Sequence, residues 1–183
     1  MIDISQKLIE TTIKNSYFEK KRDYVSMSNA SLSVDELISQ YFNGFEYSEN
    51  IALKCYKGYQ MESDLRTRIM SCFHEECLLG YELKAFDGIV KGHPDLWIFN
   101  MPGDIKSVLM DEWMPKNGKL PKKVYWQMQA YMLFSNRNQS VVVYESRETG
   151  LINHFYLREN KIVQKEIYDK FETVVKTIKN NNQ

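Results

Sequence analysis

No apolar run in the chain approaches the roughly 18 residues that a membrane-spanning helix requires, so no transmembrane segment is expected. The opening MIDISQKLIE mixes charge among its apolar residues and lacks the basic start and unbroken apolar centre of a secretory signal. The expectation is therefore a soluble cytoplasmic protein. Cysteine is scarce: Cys55, Cys72 and Cys77 are three in number and fall in no CxxC pair. Neither a disulfide framework nor a closed zinc site is indicated, and the three read as small buried residues. Net charge is also missing, with 24 Lys and Arg against 24 Asp and Glu. Any contact with a polyanion must then come from local patches, since an acidic cluster can offset a basic groove. Internal repeats and low-complexity tracts are absent.

What the chain does have is 183 residues, 43% of them hydrophobic and 13% aromatic, enough for one compact domain with a sizeable core. Residues 1–60 read as a helical or irregular extension packed on that core: a first amphipathic stretch, a polar segment over Ser26 to Ser33, then aromatics at Tyr41, Phe42, Phe45 and Tyr47. Ser33 with Glu36 three positions on matches a capping box that opens a short helix. Residues 61–183 read as the main unit. Leu65, Ile69, Cys72, Phe73 and Cys77 recur at helical spacing, with Gly80 as the stop. YELKAF and IVKGHPDLWIF then form two strands around Asp87-Gly88, a strong hairpin signal. After a turn over Asn100 to Gly103, DIKSVLM reads as a third strand of one antiparallel meander. Residues 111–121 form a loop, and Pro121 opens a helix whose Val124, Met128 and Tyr131 share a face. SVVVYES and LINHFYL are two further strands. A last helix from Lys161 carries Ile162, Ile167, Phe171, Val174, Val175 and Ile178 and ends in an Asn-rich tail. The fold class is α/β, a single domain with a central mixed β-sheet flanked by helices.

Chemistry concentrates around the third strand. Side chains alternate across a strand, so Asp104 and Lys106 share one face while Ile105 enters the core. A close turn brings Asp95 to the same region, and two carboxylates then meet an ammonium. Mg²⁺ favours hard oxygen ligands and takes one or two protein carboxylates, leaving positions for water and phosphate. Asp95 and Asp104 suit that role, with the backbone carbonyl of Ile105 completing the shell and Lys106 placed to orient a nucleophile or neutralise phosphoryl charge.

Pro94-Asp95 followed by Asp104-Ile105-Lys106 resembles the PD-(D/E)XK nuclease signature in residue type, order and spacing. Gln127-Met128-Gln129-Ala130-Tyr131 adds the Q-x-x-x-Y helix found in RecB-like and phage-lambda-exonuclease-like members. The resemblance covers about residues 65–180. It implies a restriction-endonuclease-like core of order αβββαβ and a Mg²⁺- or Mn²⁺-dependent deoxyribonuclease of the exonuclease-like branch, acting in phage or bacterial DNA recombination, repair or degradation. A restriction-type or structure-specific endonuclease, or a catalytically inactive DNA-binding module, are the alternatives. By the same resemblance Asp95, Asp104, Lys106, Gln127 and Tyr131 are catalytic, and His74, on the helix before the hairpin, is a further metal ligand. Glu75 and Glu76 compete for that place, since lambda-type members use a Glu. Gly92-His93-Pro94-Asp95 matches the Gly-x-x-Asp that follows, with His93 in a structural or substrate-side role. His154 is unassigned. Some relatives carry a four-cysteine iron-sulfur cluster; three cysteines do not provide one. Lys116, Lys119, Lys122 and Lys123 form a basic stretch suited to gripping DNA phosphates. Trp126 is taken as a base-stacking residue, with Trp113 and Tyr125 as further candidates. Binding is expected to be independent of sequence, and homo-oligomers or a recombination or repair partner protein are possible.

Overall fold

The computed structural model describes residues 22–44, 49–111, 114–116 and 119–181. The first amphipathic stretch, Phe45, Tyr47 and Trp113 lie outside them. In chain order the elements are β1 (Val25–Ser26), α1 (Val34–Asn43), α2 (Glu49–Phe73), β2 (Cys77–Leu79), β3 (Leu83–Ala85), β4 (Val90–Gly92), β5 (Leu96–Ile98), β6 (Met101–Val108), α3 (Lys122–Ser135), β7 (Gln139–Ser146), β8 (Ile152–Arg158) and α4 (Lys161–Asn181). Five strands form the main sheet in the order β2-β5-β6-β7-β8, and three form a smaller one, β1-β4-β3. Both are mixed: β6 runs parallel to β7 across the α3 crossover, β5 and β8 are antiparallel to their neighbours, and β1 is parallel to β4. Among the described residues no helix is long and apolar enough to cross a membrane.

The main sheet separates two apolar layers. On one face Leu65 and Ile69 of α2 pack with Leu96, Ile98, Ile105 and Val141. On the other, a larger core joins Met128 and Tyr131 of α3 to Val142, Tyr144, Ile167, Phe171 and Met27. Helix α3 lies between the sheet, α4 and the chain around Met27–Asn29, so Gln127, Gln129, Ala130 and Met132 are buried along with the expected face. The capping box closes as expected: Ser33 Oγ accepts the Glu36 N–H at 3.2 Å, and a Glu36 carboxylate oxygen accepts the Ser33 N–H at 2.8 Å.

Several expectations give way to tertiary structure. The meander is not contiguous, because the run IVKGHPDLWIF breaks at His93-Pro94-Asp95 and places β4 and β5 in different sheets. The first hairpin turns over four residues, pairing Ala85 with Val90, and Asp87 and Gly88 both have positive φ. The second turns on Phe99 and Asn100, with φ of 50° and 62°, which is the tight two-residue geometry that matches strand twist. β6 therefore starts at Met101 and includes Pro102. The missing N–H of Pro102 would point away from β5, and the β7 ladder begins only at Gly103. A boundary at residue 60 falls inside α2, and Val25, Met27, Ala30 and Leu37 belong to the core, so residues 22–44 are built into the domain. Cys77 is buried, but Cys72 is exposed and Cys55 only half-buried. Ile162, expected on the buried face of α4, is 80% exposed.

Gly80 ends no helix; α2 stops at Phe73. The glycine is there because the Pro94 backbone crosses it: a Cβ at position 80 would sit 1.6 Å from the Pro94 carbonyl oxygen. Gly80→Ala must push that backbone, and Asp95 with it. We expect a loss of about 3 kcal/mol or more in urea denaturation, the scale of severe overpacking.

Candidate active site

β5 ends earlier than β6, and the site grows from that mismatch. Alternate residues of β6 direct their backbone N–H and C=O groups towards the β5 side. At Gly103 the carbonyl accepts the Asp95 N–H at 3.0 Å. Beyond it no strand remains to pair, and a bare buried N–H is costly. Two carboxylates replace the missing strand: Asp95 Oδ2 accepts the Ile105 N–H at 2.7 Å, and Glu62 Oε1, from α2, accepts the Ser107 N–H at 3.2 Å. The Ile105 carbonyl points to the same open edge.

Asp104 projects on the α3 side and is 3% exposed. One of its oxygens pairs with Lys106 Nζ at 2.5 Å, and the other accepts from Gln127 Nε2 at 2.9 Å. Gln127 Nε2 also lies 3.0 Å from the Tyr131 hydroxyl, which donates to the His93 carbonyl at 3.1 Å. The four-residue helical spacing thus becomes a brace, tying the β6 acid to the segment that carries Asp95. Gln127 and Tyr131 are 5% and 2% exposed. Gln127, expected near a metal-bound water or a phosphate, has its amide nitrogen directed to Asp104 and Tyr131. Tyr131→Phe should lower stability by about 1 kcal/mol in urea denaturation, the net worth of a neutral hydrogen bond.

These groups line one cleft of about 210 Å³ with Glu62, His93, Arg22, Tyr24, Ser26 and Ser28. Burial, then the Asp104 charge, pushes the Asp95 carboxyl up to about 7, against the pull of Lys106 and the Ile105 N–H. Burial raises Glu62 as well, with Lys106 opposing. Burial depresses the Lys106 ammonium, but Asp104, Asp95 and Glu62 outweigh it and hold it above its ordinary value. Three carboxylates face the Lys106 ammonium and the Arg22 guanidinium, so the cleft carries one more acidic than basic side chain.

Glu62 is the residue the sequence reading missed. It falls three residues before Leu65 on the stripe Gly58, Glu62, Leu65, Ile69 that packs against the sheet, and an acid on an apolar helical stripe is the signal that marks it. His74 is not in the cleft. It lies twelve residues further along, roughly 18 Å at 1.5 Å per residue, in an exposed turn whose neighbour Glu76 bonds Phe99 at the far end of β5. Glu75 and Glu76 share that turn, and the acid that α2 brings to the cleft is Glu62. His93 lines the cleft, with Nε2 3.1 Å from Glu82. His154 is exposed on β8.

The basic stretch is not brought to the cleft either. Lys116, Lys119, Lys122 and Lys123 are exposed, and the two on α3 precede Gln127 by more than a turn. The cleft's cations are Lys106 and Arg22. Trp126 is half-buried against the core with Lys122 and Lys170 over its ring, at 5.2 and 4.3 Å from the centroid.

The resemblance in the sequence implies a divalent cation here, and the donors suit one: they are hard oxygens, and burial raises two of the carboxyls, a cost that a cation would relieve. Among the described residues no three His, Cys, Asp or Glu stand at metal-ligand spacing. Asp104 is drawn to Lys106 and Gln127, while Asp95 and Glu62 are drawn to β6.

An α/β domain with a mixed sheet, a parallel crossover helix and this acidic edge shares its fold with solved exonucleases. The alkaline exonuclease LHK-Exo from Laribacter hongkongensis, solved in complex with dAMP, superposes with a TM-score of 0.66 over 90% of this chain and 92% of that one, at 17% identity. A phage-related exonuclease from Haemophilus somnus 129PT gives 0.62 over 84% and 92%, at 13% identity. No protein-family model and no curated protein matches the sequence.

Proposed function

We propose that the protein is a divalent-metal-dependent nuclease that hydrolyses DNA from an end. The observation that carries this reading is the meeting of Asp95, Asp104 and Lys106 in one cleft at the open edge of β6. The exonuclease fold of the neighbours and the nucleotide bound by LHK-Exo support it. Asp95, Asp104, the Ile105 carbonyl and Glu62 would hold the cation. When bound, Mg²⁺ or Mn²⁺ supplies a more acidic water and neutralises charge on the phosphoryl oxygens.

In hydrolysis the water oxygen bonds to phosphorus, one P–O ester bond breaks, and the leaving oxygen takes up a proton. Asp104, Asp95 and Glu62 favour the charged form of Lys106, so its part is electrostatic. It fixes one Asp104 oxygen and presents a positive charge where negative charge grows on phosphorus. Gln127 and Tyr131 keep the two acids in register, and loss of the Tyr131 hydroxyl should slow cleavage on the order of 10-fold. The exposed lysines from Lys116 to Lys123 serve the DNA backbone outside the cleft, without reading sequence. A role in phage or bacterial recombination, repair or DNA degradation, inside the cell, fits this activity.

Incubation with end-labelled linear DNA in Mg²⁺, then in EDTA, tests the activity; release of labelled nucleotides only with the metal is expected. Covalently closed supercoiled DNA should remain intact. Its cleavage would instead favour an endonuclease, and no cleavage of any DNA would favour a binding module.

A further inference from the structure

A half-buried arginine outside the cleft holds the α2 flank of the site together. Arg147 follows β7, and its N–H bonds the Val108 carbonyl at 2.8 Å where β6 ends. Its guanidinium turns back over the sheet and donates twice to Ser107 Oγ, from Nε at 3.2 Å and from Nη2 at 2.8 Å. The space it occupies exists because position 58 is glycine: a Cβ there would stand 2.7 Å from Nη2. Gly58 lies one helical turn before Glu62, whose Oε1 accepts the N–H of the same Ser107 at 3.2 Å. Ser107 is therefore gripped through its hydroxyl by Arg147 and through its amide by Glu62. The Arg147 charge also favours the ionised form of Glu62.

We propose that Arg147 is a positioning residue: lodged over Gly58, it fixes Ser107 and thereby sets the Glu62 carboxylate at the open edge of β6. Arg147 touches no reacting atom. It matters because the end of a β-strand frays, and β6 beyond Gly103 has no strand on its β5 side. A planar fork with two bonds to one oxygen restrains that end better than an ammonium can.

The inference rests on the proposed nuclease reading, and its test separates the two. Titration calorimetry with Mn²⁺ on the whole protein, without DNA, should show binding weakened about 10-fold in Arg147→Ala, within the usual range for residues that orient a metal's ligands. Arg147→Lys should fall between. Glu62→Gln should show a loss of similar size, and adding Arg147→Ala to it should cost nothing further, because both changes act through one carboxylate. Cleavage should follow as a raised Mg²⁺ requirement with near-normal kcat at saturation. A purely structural arginine would lower the melting temperature and leave Mn²⁺ affinity unchanged in Arg147→Lys, which overturns the inference alone. A native protein that neither binds Mn²⁺ nor cleaves DNA overturns the nuclease reading, and this inference with it.

Discussion

Asp104→Asn is expected to leave a folded protein whose DNA cleavage falls by about 10³-fold or more, and Lys106→Ala to fall as far. The two arrive there differently. In Asp104→Asn the side-chain oxygen still accepts from Gln127 Nε2, so the brace through Tyr131 to His93 survives while the charge is lost. Two effects on stability oppose each other, because the Lys106 ammonium loses its 2.5 Å partner while Asp95 and Glu62 lose a neighbouring negative charge, so the loss of cleavage and not the melting temperature is the readout. Lys106→Ala removes the counter-charge from a carboxylate that is 3% exposed, and an unpaired buried charge costs about 3 kcal/mol or more. That loss should appear in EDTA and shrink when Mg²⁺ is added. Asp104→Ala is a harsher test of the same point, since it also leaves the buried Gln127 amide without its acceptor. Full activity in Asp104→Asn or Lys106→Ala would remove the assignment.

Metal binding should release a proton below about pH 7. Burial and the Asp104 charge raise Asp95 from 3.8 to about 7, and a cation needs the ionised carboxylate. Mg²⁺ affinity should therefore be full above about pH 7 and fall about tenfold per unit as the pH drops below it. Stability without metal runs the other way. The folded-state pKa lies above the unfolded one, so this group's contribution is fully present below pH 3.8 and is lost as the pH rises through about 7. In Asp95→Asn both dependences should flatten. Calorimetry in two buffers of different ionisation enthalpy would count the protons released. A native protein that releases none at pH 6 would contradict the raised carboxyl.

The two-residue strand period puts Asp104 and Lys106 on one face, and the four-residue helical spacing puts Gln127 beside Tyr131, but only the resemblance to the PD-(D/E)XK and Q-x-x-x-Y signatures marks these residues as a site. What the patterns did not carry was set by long-range pairing. His93-Pro94-Asp95 looked like mid-strand sequence, yet the chain crosses between sheets there, and that crossing leaves the β6 edge open for Asp95. The start of α2 has little amphipathic contrast, so the helix read as beginning at Leu65, and Glu62 fell outside it. His74, singled out by its place before the hairpin, follows the last residue of a 25-residue helix, about three turns beyond Glu62. Met27 gave no local sign that its segment would pack against α3. Nor does the sequence near Trp126 show that Lys170, 44 positions away, covers its ring.

The central claim is that carboxylates from a short strand end, from β6 and from α2 share one cation. A crystal soaked in Mn²⁺ and measured at an energy where manganese scatters anomalously reads this directly. An anomalous peak is expected within coordination distance of Asp95 and Asp104, with Glu62 turned towards it and His74 far away. A peak elsewhere, or well-ordered acids with no peak between them at saturating Mn²⁺, would contradict it.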